Sequence, residues 1–312
     1  MFAGDNIKTE NSNMNRLKFI ILIVLSTALM GSAFSVIKMG DMYASPLMFA
    51  AIRFILAGLL LSFIVGFMRM PHPKHSSEWF YVALIGFFQT TGVFGAIFLS
   101  LRTITAGESS ILIFVNPILV VLFSAFIGIR YRLLQWFGVI VGFIGVVILI
   151  GFHPYYQVGV WIALSGAVFW AITTLLVKRV ASFINIWVLT AYQMLIGGIL
   201  LFFISEIFGH PYVILNFSFV LIVLWLAIMS SIVQFGIWFY LIQKNNPGKV
   251  SSFLFLAPLF GVLSGLILLR EPVTLQIIIG GFFILLGIFL VNSTESQRTI
   301  LEKAEVETEG NP

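Results

Sequence analysis

Cysteine is absent from the chain, and charged residues make up only 9% of it. Without thiols, the chain can form neither a disulfide framework nor a thiolate metal site. Soluble globular proteins carry roughly 25% charged residues, whereas this chain of 312 residues is 60% hydrophobic. A soluble core of this length cannot bury so much apolar surface. The composition therefore predicts a protein whose solvent is the lipid bilayer.

Motifs for several chemistries are also missing. The chain has no GxxxxGK[ST] loop, which excludes an ATP-driven pump, and its histidines and acids lack metal-ligand spacing. No Ser, His and acid share one predicted depth, so we expect no enzyme activity, no cofactor and no metal. The net charge of +5 comes from basic residues scattered between apolar runs. A nucleic-acid partner is not expected, because it would require a basic stripe on one face.

Ten apolar segments are long enough to cross a bilayer, which takes about 20 residues. The first segment follows basic residues as a signal peptide does, but it is too long for one, so we expect an uncleaved helix. The joints are short, and none can hold an extramembrane domain. The predicted fold is an all-α polytopic membrane protein with spans over 17–37, 46–67, 79–101, 106–127, 133–151, 157–177, 184–205, 218–241, 249–268 and 274–292.

The basic residues predict the orientation. An even number of spans places both termini on one side of the membrane. If that side is the cytoplasm, 13 basic residues lie inside and 3 outside, as the positive-inside rule requires. We therefore expect cytoplasmic tails over 1–16 and 293–312, the second of them acidic. The inner set is Lys8, Arg16, Lys18, Arg69, Lys74, Arg130, Arg132, Lys178, Arg179, Lys244, Lys249, Arg298 and Lys303, and the outer set is Lys38, Arg102 and Arg270.

The chain also repeats itself at an offset of roughly 140 residues, which indicates two copies of one unit. We predict a first repeat over 17–151 and a second over 157–292. Five spans per repeat is an odd number, so the second repeat enters the membrane from the opposite side. Such inverted repeats are typical of secondary transporters. The matched pairs are Lys38 and Lys178, Ala51 and Ala191, Gly58 and Gly198, Gly107 and Gly248, Pro117 and Pro258, Gly138 and Gly280, and Gly145 and Gly287.

Over residues 17 to 291 the chain resembles EamA-type members of the drug/metabolite transporter superfamily. This resemblance implies a ten-helix bundle around a central cavity, export or exchange of small metabolites, and a bacterial cell membrane (inner or plasma). Met30 and Arg130 depart from the family pattern, which usually has Trp and Glu there. The segments that carry the likeness are Gly31 to Phe34 with Lys38, Pro46, Arg53 and Phe54, Trp170 and Ala171, Pro258, Arg270 to Pro272, Gly280 and Gly287.

Arg53 is the one basic residue well inside a predicted span. Intramembrane charges usually face a bundle interior or a wet cavity and mark functional sites. A guanidinium fork suits a substrate carboxylate or phosphate. The alternative is a structural arginine that binds backbone carbonyls or snorkels to the interface, and the sequence leaves both open.

Glu108 begins the fourth predicted helix and is the only acid predicted at membrane depth. It is our candidate for energy coupling. A carboxylate at a helix N-terminus also gains from the helix dipole, and Glu108 could pair with Arg102, so a purely structural role remains open.

Uncharged polar and aromatic residues supply the other candidates for a substrate cavity near the middle of the membrane, where transporter sites tend to lie. Serine and threonine also bond routinely between membrane helices, at about 0.6 kcal/mol on average. The candidates are Ser32, Ser35, Gln89, Asn116, Trp170, Tyr192, Gln193, Ser230 and Gln234.

Pro117 and Pro258 are equivalent residues inside the fourth and ninth predicted helices. Proline removes a backbone hydrogen bond and favours a kink. A matched pair of kinks suits either a hinge or a fixed bend.

Together these features predict a secondary transporter, an exporter of small organic metabolites such as amino acids, that works by alternating access. The expected partners are a small-molecule substrate and the lipid bilayer, with the chain a monomer or a homodimer. The alternatives are a membrane-embedded enzyme or lipid-handling protein, and a scaffold or sensor that transports nothing.

Overall fold

The computed structural model describes residues 16–126, 131–150, 158–180, 183–244, 250 and 252–291. In these residues the chain forms ten main helices, as predicted. The first five are α1 (Arg16–Gly40), α2 (Pro46–Phe67), α3 (Ser76–Ser100), α4 (Ala106–Phe126) and α5 (Leu133–Ile150). The second five are α6 (Val158–Val180), α7 (Ile186–Phe208), α8 (217–244), α9 (252–269) and α10 (Leu275–Val291).

Seven of the described helices are long and apolar enough to cross a membrane, and the apolar stretches in α5, α9 and α10 are shorter. Five predicted helix ends are wrong by three residues: α3 begins three residues earlier than predicted, and α1, α6, α7 and α8 end three residues later. We placed Glu78 in a joint, but it lies in the first turn of α3, where its carboxylate accepts backbone hydrogen bonds from Lys74 at 2.6 Å and His75 at 3.4 Å. These bonds satisfy amide groups that a helix start leaves unpaired.

Equivalent helices change their winding at equivalent places. α3 is π-helical over Gly86–Phe94, and α8 is π-helical over Ile228–Val233. At an offset of roughly 140 residues, the second segment falls within the copy of the first. π-Helical turns are rare and occur frequently at functional sites.

Both predicted proline kinks coincide with a change of helix geometry. α4 consists of Ala106–Ile113 and Asn116–Phe126, and the break lies just before Pro117. α9 begins as a 3-10 turn over Ser252–Phe255 and becomes α-helical at Leu256–Leu269, with Pro258 in its first turn. Proline cannot donate a backbone hydrogen bond and disfavours helical geometry in the residue before it. Whether the two breaks act as hinges stays a prediction.

α2 and α7 cross with their backbones almost touching at two equivalent glycines. A Cβ on Gly58 would lie 2.6 Å from the Leu195 nitrogen, and one on Gly198 would lie 2.8 Å from the Ile55 nitrogen. Ile55 of α2 thus faces Gly198 of α7, and Gly58 faces Leu195. Because residue numbers rise along one helix as they fall along the other, α2 and α7 run antiparallel.

α5 and α10 meet in the same way. A Cβ on Gly138 would lie 2.9 Å from the Gly287 carbonyl oxygen, and one on Gly145 would lie 2.7 Å from the Gly280 oxygen. Small residues permit such close approach between membrane helices. Because equivalent helices run in opposite directions, the two repeats are inverted, and this prediction is confirmed.

Among the described residues, four joints lie together at one end of the bundle, which we name the Lys38 end: α1–α2, α3–α4, α7–α8 and α9–α10. The α1–α2 and α7–α8 joints bond there, since the Ile214 amide donates to the Tyr43 carbonyl at 2.6 Å and the Ser45 amide to the Tyr212 carbonyl at 3.0 Å. Beneath them, Phe49 packs against aromatic rings of α3 and α8. The opposite end, where Tyr192 contacts His72, is named the Tyr192 end.

Candidate functional site

Arg53 is a buried charged residue, only 1% exposed, that contacts other buried polar side chains. Its Nη2 donates to Ser230 Oγ at 3.1 Å and to Ser231 Oγ at 3.2 Å, and its Nε lies 3.4 Å from Ser231 Oγ. In the part of the chain that the structure describes, Nη1 has no hydrogen-bond partner. The guanidinium is therefore held by two hydroxyls and keeps one donor group unused.

The π-helical turn of α8 explains how two consecutive serines reach the same guanidinium. Ser231 Oγ donates to the carbonyl of Leu226, five residues earlier, at 3.0 Å. A π-helix joins residues five apart by its backbone hydrogen bonds and is wider than an α-helix, so the Ser231 side chain can reach this carbonyl. That bond uses the Ser231 hydrogen, so the oxygen's lone pairs face Arg53 as acceptors.

The equivalent site in the other repeat holds a neutral pair. Gln193 on α7 corresponds to Arg53, and Thr90 in the π-helical turn of α3 corresponds to Ser230. Thr90 Oγ1 donates to Gln193 Oε1 at 2.7 Å, and both residues are buried. The next residue, Thr91, donates to the Gly197 carbonyl at 3.0 Å. The two equivalent sites therefore have similar geometry, but only the Arg53 site carries a charge.

Aromatic rings enclose the guanidinium. The Arg53 Cζ lies 4.7 Å from the ring centre of Phe54 and 5.4 Å from that of Phe94. The two rings also pack on each other at 4.4 Å. A cation over an aromatic face is stabilised by the ring quadrupole, so these contacts replace part of the hydration that the buried arginine has lost.

Of the predicted cavity residues, the structure brings Ser230 to Arg53 and Gln193 to the equivalent place, while others lie elsewhere. Ser35 bonds Ser264 of α9 at 2.7 Å, which is a contact between helices. Tyr192 bonds His72 at 3.2 Å and packs on Trp79 at the Tyr192 end. The remaining ones are Trp170, which packs on Phe114, the buried Asn116 and Gln234, and the partly buried Ser32 and Gln89.

Glu108 caps the helix that it begins. Its carboxylate accepts from the Thr105 amide and hydroxyl, both at 2.9 Å, and its own amide donates to Thr105 Oγ1 at 3.1 Å. Arg102 pairs with Asp41 at 3.3 Å and not with Glu108, which corrects the suggested pairing. The coupling role of Glu108 stays a prediction.

An ion pair joins the two repeats at the Lys38 end. Lys38 Nζ lies 2.7 Å from Glu271 Oε1 and also donates to the Ile104 carbonyl at 2.7 Å. Glu271 Oε2 accepts from the Ala106 amide at 2.8 Å. The sequence placed Lys38 and Glu271 in joints without pairing them, because the bond depends on how α1, α4 and α9 converge.

Asp41 lies beside this pair, between Arg102 and Lys38. Burial raises the pKa of its carboxyl, although the two nearby cations act in the opposite direction. At the Tyr192 end, Lys178, the equivalent of Lys38, is exposed. The equivalent of Glu271 is Arg130, which lies outside the described residues. The residues equivalent to the Lys38–Glu271 pair therefore carry like charges.

Inverted repeats of apolar helices around buried polar residues are the architecture of membrane transporters. The chain belongs to the EamA-like transporter family, whose profile matches residues 17–151 and 157–293. Both repeats are matched separately. The chain is therefore an integral membrane transporter protein.

Relatives agree with this assignment. The chain is 29% identical over 280 residues to the transporter YvbV of Bacillus subtilis (strain 168), covering 88% of this chain and 91% of that one. It is 30% identical over 281 residues to a transporter of Archaeoglobus fulgidus, covering 87% and 97%. One solved crystal structure of a protein shares the fold, with a TM-score of 0.62 and 23% sequence identity, covering 86% of this chain and 96% of that one.

Proposed function

We propose that the chain is a secondary transporter that exports small organic metabolites, such as amino acids or related compounds, by alternating access. The observation that carries this proposal is the antiparallel packing of equivalent helices around Arg53 and Gln193. Two inverted halves can exchange conformations, and the exchange turns a cavity open to one side into a cavity open to the other.

The ion pair between Lys38 and Glu271 is the gate at the outer face in this proposal. The positive-inside count supports cytoplasmic termini, which put the Lys38 end outside. Opening there requires Lys38 and Glu271 to separate, and Arg102 to leave Asp41. The opposite end has Lys178 and Arg130 at the equivalent positions, so like charges favour opening towards the cytoplasm.

Purified protein in liposomes tests this function. Vesicles are loaded with a radiolabelled panel of amino acids, organic acids, nucleobases and sugars, and efflux is followed with and without a pH gradient. We expect saturable efflux of at least one compound, at a rate higher than from loaded vesicles that contain no protein. An established exporter in the same lipid is the control. If that exporter is active while this protein moves no compound in either direction, transport is contradicted.

A further inference from the structure

Arg53 carries a positive charge in an apolar interior without a carboxylate partner among the described residues. The ion pairs of the described residues join Lys38 to Glu271 and Arg102 to Asp41, both at the Lys38 end. A buried charge costs free energy unless an opposite charge or a full set of hydrogen bonds compensates it. Two serine hydroxyls and two aromatic rings compensate part of the Arg53 charge, and Nη1 keeps an unused donor.

We infer that Arg53 binds the carboxylate of the transported metabolite, an inference that rests on the proposed transport function. The shape of the surroundings sets what can bind. Ser230 and Ser231 occupy Nη2, and the rings of Phe54 and Phe94 pack against the guanidinium. Nη1 is therefore the donor available to an incoming acceptor, and a carboxylate oxygen makes a short, charge-assisted bond with it.

Charge balance selects a single negative charge. One guanidinium neutralises one carboxylate, and no other charged side chain contacts Arg53 among the described residues. A phosphate dianion would leave a net negative charge among Phe54, Phe94 and the apolar faces of α2 and α8. A cationic compound would meet a like charge, with no acid nearby among the described residues. Within the proposed range of substrates, the charge of the site therefore favours a monocarboxylate with an apolar body over a zwitterionic amino acid.

The position of Arg53 between the two π-helical turns is an independent reason to place a substrate there. Arg53 bonds the α8 turn through Ser230 and contacts the α3 turn through Phe94. It thus bridges one segment from each repeat, and movement of the repeats changes its surroundings. At 1% exposure Arg53 is closed to both faces in this conformation. A carboxylate can therefore reach Nη1 only when the two repeats move from this conformation.

Benzoate and benzamide are a matched pair of probes, because they share size and ring and differ in charge. Thermal unfolding of the purified protein is followed with benzoate, benzamide or inorganic phosphate. We expect benzoate to raise the unfolding temperature in a saturable way, and the other two to leave it unchanged. No shift with benzoate, an equal shift with benzamide, or a shift with phosphate alone would overturn the inference.

Arg53→Gln installs the residue that the equivalent position already holds, and Arg179→Gln is the matched control at the Tyr192 end. Loss of a charge-assisted bond should weaken benzoate binding at least about tenfold in Arg53→Gln. The Arg179→Gln protein should bind as the natural chain does. Unchanged binding in folded Arg53→Gln would overturn the inference. If the Arg53→Gln protein does not fold, the Arg53→Lys protein is used instead, because it keeps the positive charge. It must still bind benzoate more tightly than benzamide.

Efflux of labelled benzoate from liposomes separates this inference from the transport proposal. Binding that needs Arg53, without flux of any compound in the panel, would support the carboxylate site and contradict transport. Flux of a neutral compound that is unchanged in Arg53→Gln, with no benzoate binding, would support transport and overturn the carboxylate site.

Discussion

Arg53 and Gln193 occupy equivalent positions in the two repeats, and each side chain bonds a hydroxyl on a π-helical turn of the opposite repeat. Arg53 Nη2 donates to Ser230 Oγ at 3.1 Å, and Gln193 Oε1 accepts from Thr90 Oγ1 at 2.7 Å. Duplication would have produced two identical pairs. Because only one of the two positions is charged, the proposed substrate site is asymmetric within a symmetric frame.

Thr90→Val should destabilise the protein because it leaves the Gln193 carbonyl oxygen buried without its donor. A buried acceptor that loses its partner costs about 1–3 kcal/mol. Thr174→Val is the control, since Thr174 is exposed and bonds only a carbonyl of its own helix. The stability of both variants is measured by thermal unfolding, followed by the fluorescence of the seven tryptophans. Equal unfolding temperatures would mean that the Thr90–Gln193 bond adds nothing to stability.

Gly58→Ala and Gly198→Ala should both destabilise the α2–α7 contact. A Cβ at either position meets backbone atoms at 2.6 to 2.8 Å, so the helices must separate. Overpacking of this kind typically costs about 1–3 kcal/mol. Gly66→Ala is the control, because nothing lies within 4 Å of a Cβ there. It should be neutral or raise stability by up to about 1 kcal/mol. Similar losses at all three glycines would contradict the close crossing.

Glu271→Lys should weaken the proposed gate by placing two cations together at the Lys38 end. The double change Lys38→Glu with Glu271→Lys should recover part of the lost stability, at a coupling of about 1 kcal/mol. Recovery is incomplete because an ammonium group at position 271 cannot accept from the Ala106 amide as the Glu271 carboxylate does. Unfolding of the four proteins in a double-mutant cycle gives the coupling. A coupling of zero would contradict the role of the Lys38–Glu271 ion pair in the proposed gate.

Single cysteines test the orientation without background, because the natural chain has none. Leu215→Cys lies in the exposed α7–α8 joint at the Lys38 end, and Lys74→Cys lies in the exposed α2–α3 joint. With both termini cytoplasmic, an impermeant maleimide added to intact cells should label position 215 and spare position 74 until the cells are opened. The reverse labelling pattern would contradict the predicted orientation.

Much of the fold could be predicted from local sequence. Apolar runs of spanning length predicted the ten helices. The odd number of helices per repeat predicted that the two repeats are inverted. The glycine pairs could be matched in sequence, but their contact across α2 and α7 required the structure. The start of α3 was misplaced because Glu78 looked like a joint residue, although a carboxylate in a first helical turn is a normal helix start.

The site could be predicted only in part. Arg53 stood out because a charge inside a span is costly, but its partners depended on winding that composition does not reveal. The π-helical turns bring Ser231 and Phe94 to the guanidinium, and no local pattern indicated them. Tyr192 was proposed from residue type alone, and its contact with His72 depends on the path of the α2–α3 joint. The Lys38–Glu271 pair likewise requires the convergence of distant segments.

Labelling of Ser230→Cys tests alternating access at Arg53 most directly. Ser231 still accepts bonds from Arg53 in this variant, and the introduced thiol is the only one in the chain. An impermeant maleimide is added to sealed right-side-out vesicles and, separately, to inside-out vesicles. Alternating access predicts that the thiol is labelled from both faces, because each half of the cycle exposes the same site to a different side. Labelling from one face only, in protein that is folded, would contradict it.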